Sequence, residues 1–147
     1  MKFTIRVYGI WIDEQQRVLI TNERMGAYRF TKFPGGGMEY GEGTIDCLRR
    51  EWLEELNTDI EILNHFYTCD FFQASAFHES TQLISIYYLV RPKLGSVAIE
   101  CVDMPVFHNE GEVEVYCRKV PLTELSAEDM TFPIDKVVVE KLRSTYL

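Results

Sequence analysis

Three glycines in a row, followed within a few residues by a dense run of carboxylates, constrain this chain more than any other stretch. In FPGGGMEYGEGTIDCLRREWLEEL, Phe33 to Leu56, the backbone at residues 35–37 carries no side chains, and six acidic residues fall between Met38 and Leu56. Without Cβ atoms the chain can turn sharply and approach another group closely, with its own amides and carbonyls exposed to that group. From Thr44 to Leu56 the apolar spacing is helical: at about 100° per residue Ile45, Leu48, Trp52 and Leu56 share one stripe, with Leu53 at its margin, and that stripe is expected to face the core. Beside it Glu51, Glu54 and Glu55 fall within about 100° of arc. Like charges four apart on a helix cost roughly 0.2–0.5 kcal/mol per pair, so this arrangement calls for a compensating partner. One partner is water with Arg49 and Arg50 alongside, the usual fate of an acidic helix face. The other is a divalent cation, since Mg²⁺ takes hard oxygen ligands from a few carboxylates together with phosphates and waters. A triple glycine alone reads as readily as a tight turn.

The rest of the chain supplies strands. Residues 3–8, 10–12 and 17–20 are short β-rich runs, with DEQQ as a polar turn, and 22–33 is expected to connect them to the glycines. Runs 59–72, 82–90 and 112–120 read as further strands, residues 121–133 as a loop with a helical turn, and 134–147 as a terminal helix despite its valine run. Strands precede, separate and follow two helices without regular alternation, which points to an α+β sandwich. A chain of 147 residues fits one domain spanning 1–147 and can bury roughly 70% of its unfolded surface.

Charge and composition exclude several classes. A formal net charge of −8 opposes sequence-independent binding to a nucleic-acid backbone. No apolar run approaches the roughly 20 residues of a membrane span, and MKFTIRVYGIWID alternates as a strand does rather than forming a signal peptide, so a cytoplasmic protein is expected. Cys47, Cys69, Cys101 and Cys117 show no C-x-x-C pairing, which argues against zinc and for reduced thiols. His65, His78 and His108 are isolated and receive no role.

Taken together, Gly36, five residues, Glu42, seven residues, Arg50-Glu51, the apolar Trp52, one residue, and Glu54-Glu55 resemble the Nudix box of the Nudix hydrolases, MutT-like enzymes, with seven positions matching in type and spacing. The likeness extends from the opening strands to KVPLTEL and FPIDK, nearly the whole chain. It implies the Nudix fold, a mixed sheet between helices, and a pyrophosphohydrolase that uses Mg²⁺ or Mn²⁺ to direct water at phosphorus in a nucleoside diphosphate linked to another group. The alternative is a Nudix-fold sensor that binds a nucleotide without cleaving it. The resemblance assigns Glu51, Glu54 and Glu55 as metal ligands with the Gly35 carbonyl as a further one. It gives Arg50 the task of pairing with Glu42 to hold loop against helix, with Gly36 shaping the box. In some relatives the general base is a later glutamate, which here implicates Glu112 or Glu114, with Glu54 able to assist; either strand residue reads equally well as solvent-facing. Tyr28, Phe30 and Phe72 are candidates to stack a base, although aromatic residues at strand spacing are more often core.

Two positions depart from the family pattern. Asn57 and Thr58 stand where the box closes with glycine and an aliphatic residue; Asn is the non-glycine residue that best accepts a left-handed helix C-cap, and Thr58 gives up an apolar anchor. Gln73 to Ala76 occupy the region where many ADP-ribose hydrolases carry a proline and diadenosine polyphosphate hydrolases a tyrosine, which weakens both subclasses. A nucleoside triphosphate or a nucleotide sugar remains open as substrate. Many relatives dimerise, and a homodimer is compatible with the sequence, which names no interface for it.

Overall fold

A computed structural model describes residues 1–108 and 111–147. In chain order the elements are β1 (Lys2–Ile10), β2 (Arg17–Met25), β3 (Tyr28–Lys32), β4 (Gly35–Gly37), α1 (Thr44–Leu56), β5 (Ile60–Thr68), β6 (Thr81–Pro92), β7 (Glu114–Pro121), a 3₁₀ turn (Ala127–Asp129) and α2 (Pro133–Tyr146). The chain is thus mixed α+β, with a four-stranded sheet ordered β4-β1-β6-β5 and a three-stranded sheet ordered β3-β2-β7. These elements form two compact units, one of residues 1–10 and 34–97, the other of residues 11–33 and 98–147. Among the described residues no helix is long and apolar enough to cross a membrane.

In the first unit β1 runs parallel to β6 from Lys2↔Thr81 to Ile10↔Leu89 and antiparallel to β4 on its other side. Val7, Ile10, Leu48, Trp52, Ile60 and Val90 are buried there. The buried face of α1 is displaced from the expected stripe: Ile45 is 44% exposed, and Cys47 is fully buried in its stead. The cause is β4, toward which the helix turns its Cys47–Glu51 edge; Cys47 Sγ lies 3.8 Å from the Gly36 carbonyl. At the other end Asn57 closes the helix at φ 50°, ψ 37°, donating its N–H to Leu53 O. Thr58 is buried, and its hydroxyl donates to the Leu56 carbonyl at 2.9 Å, so the side chain that replaces an apolar anchor satisfies its own polar atom. β5 ends at Thr68, short of the expected 72.

In the second unit the segment expected to be a connector, 22–33, is instead the end of β2 and all of β3, joined by a two-residue turn with Gly26 at φ 63°. The polar run Thr21 to Arg24 disguised it, because these side chains pair across strands rather than packing as apolar residues. Arg118 Nε donates to Asn22 Oδ1 at 2.7 Å, and Lys32 and Glu23 form a nearly solvent-free ion pair at 3.0 Å. Residues 10–12 form no strand of their own; Ile12 bridges Val18 around the turn. In α2 the spacing of Ile134, Val138, Val139 and Leu142, all buried, overrides the β preference of its valines. Arg143 ties this helix to the chain before it, donating to the carbonyls of Leu122 at 3.0 Å and Leu125 at 2.8 Å.

Candidate active site

Two of the three glycines are explained by what lies against them. A Cβ on Gly35, which sits at φ 151°, would be driven into the Val7 carbonyl oxygen, and one on Gly36 would sit 2.5 Å from the Glu51 carboxyl carbon. Strand β4 can therefore lie against β1 and α1 only if it is bare at Gly35 and Gly36, and the Glu51 carboxylate rests directly on its backbone. That carboxylate is 13% exposed, whereas Glu54 on the outer side of the helix is 60% exposed.

Arg50 organises the group. Its Nε and Nη2 donate to the two oxygens of Glu42 at 3.0 and 2.6 Å, Nη2 also reaches the Gly37 carbonyl at 2.9 Å, and Nη1 donates to Glu51 at 2.9 Å and Glu54 at 3.2 Å. One guanidinium thus binds the loop, the glycine strand and two helix carboxylates, and its pKa rises above the ordinary arginine value, first through the Glu42 hydrogen bonds and then through Glu51, against burial. Glu42 also accepts the Glu39 N–H at 2.7 Å. Below Arg50, burial and then the charge of Glu42 push the Cys47 thiol up to about 12, keeping it neutral.

This clamp gives a pH prediction. The Arg50 hydrogen bonds, followed by the Glu39 N–H, hold the Glu42 carboxyl down to about 2 from an ordinary 4.5. A carboxyl depressed on folding stabilises in full above its unfolded value and loses that contribution as pH falls through its folded value. The clamp is therefore complete above pH 4.5 and is released on the way down to about 2. Carboxyl ¹³C titration should find Glu42 near 2 in the wild type and shifted up toward its ordinary value in Arg50→Gln, where the Glu39 N–H still holds it down; an ordinary value in the wild type would remove the clamp.

Among the described residues no three His, Cys, Asp or Glu side chains already converge as a metal cage, and Arg50 bridges Glu51 and Glu54. The donor set still suits a divalent cation: the carboxylate oxygens of Glu51, against bare backbone, and of the exposed Glu54 and Glu55 are hard ligands of the kind Mg²⁺ and Mn²⁺ take. The other candidates are distributed differently. Phe72 lies beyond β5 and is 70% exposed. Tyr28 and Phe30 belong to the second unit, with ring centres 5.6 Å apart, and the buried Phe30 also meets Phe132 at 5.7 Å. Glu112 is exposed on the bend before β7, while Glu114 accepts Arg24 Nη2 at 3.0 Å and the His108 N–H at 3.1 Å.

Arg6, by contrast, was not singled out from sequence. It pairs with Gly37 across β1 and β4, donates from Nε to the Tyr8 hydroxyl at 2.5 Å, and lies in the field of Glu51 and Glu55. The available signal was a lone arginine inside the apolar alternation of FTIRVYGI.

A family model described as NUDIX domain matches residues 2–142. No curated protein matches. Among solved structures, the E. coli ORF135 protein is 16% identical with TM-score 0.71, covering 98% of this chain and 91% of its own. MutT NUDIX hydrolase from Burkholderia pseudomallei is 15% identical with TM-score 0.69, covering 95% and 98%. MutT of Aliivibrio salmonicida and Vibrio cholerae is represented by a structure 22% identical with TM-score 0.61, covering 98% and 99%. At these identities the three structures speak to the fold alone.

Proposed function

The chain belongs to the NUDIX family, a family of nucleoside diphosphate hydrolases, and we propose that it is a single domain over residues 1–147 that hydrolyses the diphosphate of a nucleoside diphosphate linked to another group. The observation that carries this reading is the Glu51 carboxylate seated on Gly36 and joined through Arg50 to Glu42 and Glu54. An acidic group assembled at that cost in repulsion is suited to a cation and the phosphates it accompanies.

In this reading Glu51, Glu54 and Glu55, with the Gly35 carbonyl, hold Mg²⁺ or Mn²⁺. When bound, such an ion neutralises phosphate charge and lowers the pKa of water. Glu51 is the fixed member, wedged against β4 and held by Arg50. Glu54, the more exposed of the two carboxylates that Arg50 holds on the helix, accepts the proton of the attacking water as its oxygen bonds to phosphorus and the bridging P–O bond breaks. Glu114, 14% exposed and accepting from both Arg24 and the His108 N–H, is less open to water than Glu54, and among the described residues Glu112 has no ion-pair partner that would orient it. Gly36 and the Glu42–Arg50 pair keep loop and helix in register during turnover. The four free thiols fit a reducing cytoplasm.

The test is phosphate release from nucleoside triphosphates, nucleotide sugars, ADP-ribose and dinucleoside polyphosphates, with Mg²⁺, with Mn²⁺, and with chelator. Cleavage of one class that chelator abolishes is the expected result. Absence of turnover throughout, with thermal stabilisation by one of the nucleotides, would replace this reading with that of a sensor.

A further inference from the structure

The first unit contains four arginines, and three are neutralised. Arg49 pairs with Asp59 at 3.2 Å, Arg91 with Glu61 at 2.9 Å, and Arg50 with Glu42, Glu51 and Glu54. Arg6 is held differently. Its hydrogen bond goes to a phenol, Tyr8, over whose ring the guanidinium also lies at 5.6 Å. A tyrosine hydroxyl is uncharged at neutral pH, so Arg6 is fixed in place while its charge stays uncompensated by any ion pair among the described residues.

The fixation is extensive. Arg6 sits mid-strand, paired with Gly37 on one side and Ser85 on the other. Tyr8 is itself buried and stacks on Tyr87 at 5.1 Å, which in turn meets Tyr67 at 6.2 Å. Since Nε is taken by Tyr8, the two terminal nitrogens remain as a planar fork of donors, the geometry that binds two oxygens of a phosphoryl group. Burial works against the charge of Arg6, and Tyr8, Glu51 and Glu55 outweigh it, so the guanidinium stays protonated at the edge of the acidic group. Gly37 lies beside this fork: a Cβ built there would be in ordinary contact with Nη1, at 3.7 Å.

We propose that Arg6 is a substrate-binding residue that grips phosphoryl oxygens of the diphosphate, and that Tyr8 is the positioning residue that aims it. This rests on the reading of the chain as a diphosphate hydrolase. In a protein of net charge −8 an anionic substrate meets net repulsion, and a held guanidinium with no ion-pair partner among the described residues offsets it beside the acidic group.

The test uses methylenediphosphonate, whose P–C–P bridge cannot be hydrolysed, titrated calorimetrically into the full chain with Mg²⁺ present. Arg6→Gln should weaken its binding about 10- to 100-fold, as loss of a charge-assisted hydrogen bond does, with Arg6→Lys intermediate because it keeps charge without the fork. Tyr8→Phe should raise KM for the cleaved nucleotide more than it lowers kcat, with Arg6→Lys insensitive to the same change. Wild-type affinity in a folded Arg6→Gln, or, should that variant not fold, in Arg6→Lys, overturns the assignment. So does failure of the wild type to bind the probe. Probe binding that depends on Arg6, in a protein that cleaves no nucleotide, would sink the hydrolase reading and leave the anion site standing.

Discussion

Trp52→Ala should destabilise the protein by about 3–5 kcal/mol, the usual range for emptying a fully enclosed indole site. The side chain is 0% exposed and is the largest of the fully buried ones. Its ring fills the space between α1 and β1 so closely that a Cβ on Gly9 would stand 2.8 Å from Nε1 and 3.0 Å from Val90 Cγ2. Collapse into that space is resisted by strands paired on both sides, so most of the volume would remain as a cavity. For a domain of this size the melting temperature should fall by roughly 10 °C. The indole N–H has no hydrogen-bond partner among the described residues, which adds a discriminating comparison. Trp52→Phe removes an unsatisfied buried donor along with some volume, so it should cost far less than the alanine change. Calorimetric melts of the three proteins decide the matter, and an alanine variant as stable as the wild type would show that the ring is not the packing element between helix and sheet.

Trp52 was legible because its signal is periodic and local: an apolar residue at helical spacing among charges goes inside. Ile45 obeys the same spacing and is nevertheless exposed, because periodicity fixes a stripe only in relative angle, while the partner surface decides which edge of it is covered. That partner was β4, three glycines with no β propensity to announce a strand; backbone pairing to Tyr8, Val7 and Arg6 makes them one. Strand β3 and the end of β2 were hidden for the opposite reason. Their polar residues are satisfied by cross-strand partners such as Glu114 for Arg24, contacts 90 residues apart that no local window contains. The box was readable because Arg50, Glu51, Glu54 and Glu55 recur within successive turns of one helix, and chemistry there needs residue types rather than shapes. Arg6 was unreadable as part of that site because its relation to Glu51 runs through strand pairing, not through sequence separation.

Glu54→Gln should lower kcat by about 10²- to 10⁴-fold, the range for removing a group that takes a proton in the transition state, and should leave the melting temperature near that of the wild type. The two halves of this expectation have separate grounds. Glu54 is 60% exposed and pairs with Arg50 at 3.2 Å, a surface ion pair of the kind that contributes at most about 1 kcal/mol. Glutamine keeps the length and an oxygen to accept from Arg50, so the clamp to Glu42 survives while the negative charge and the proton-accepting oxygen are lost. Glu51→Gln should behave otherwise: with that carboxylate pressed on Gly36 and 13% exposed, its loss should reduce activity and stability together. Glu39→Gln serves as the control for net charge, being 3.9 Å from the same guanidinium and 71% exposed, and should change neither. Steady-state kinetics and melts on the three variants separate a catalytic carboxylate from a structural one and both from a bystander. If Glu54→Gln turned over like the wild type, the proton would have to go elsewhere, and Glu55 would be the next group to replace.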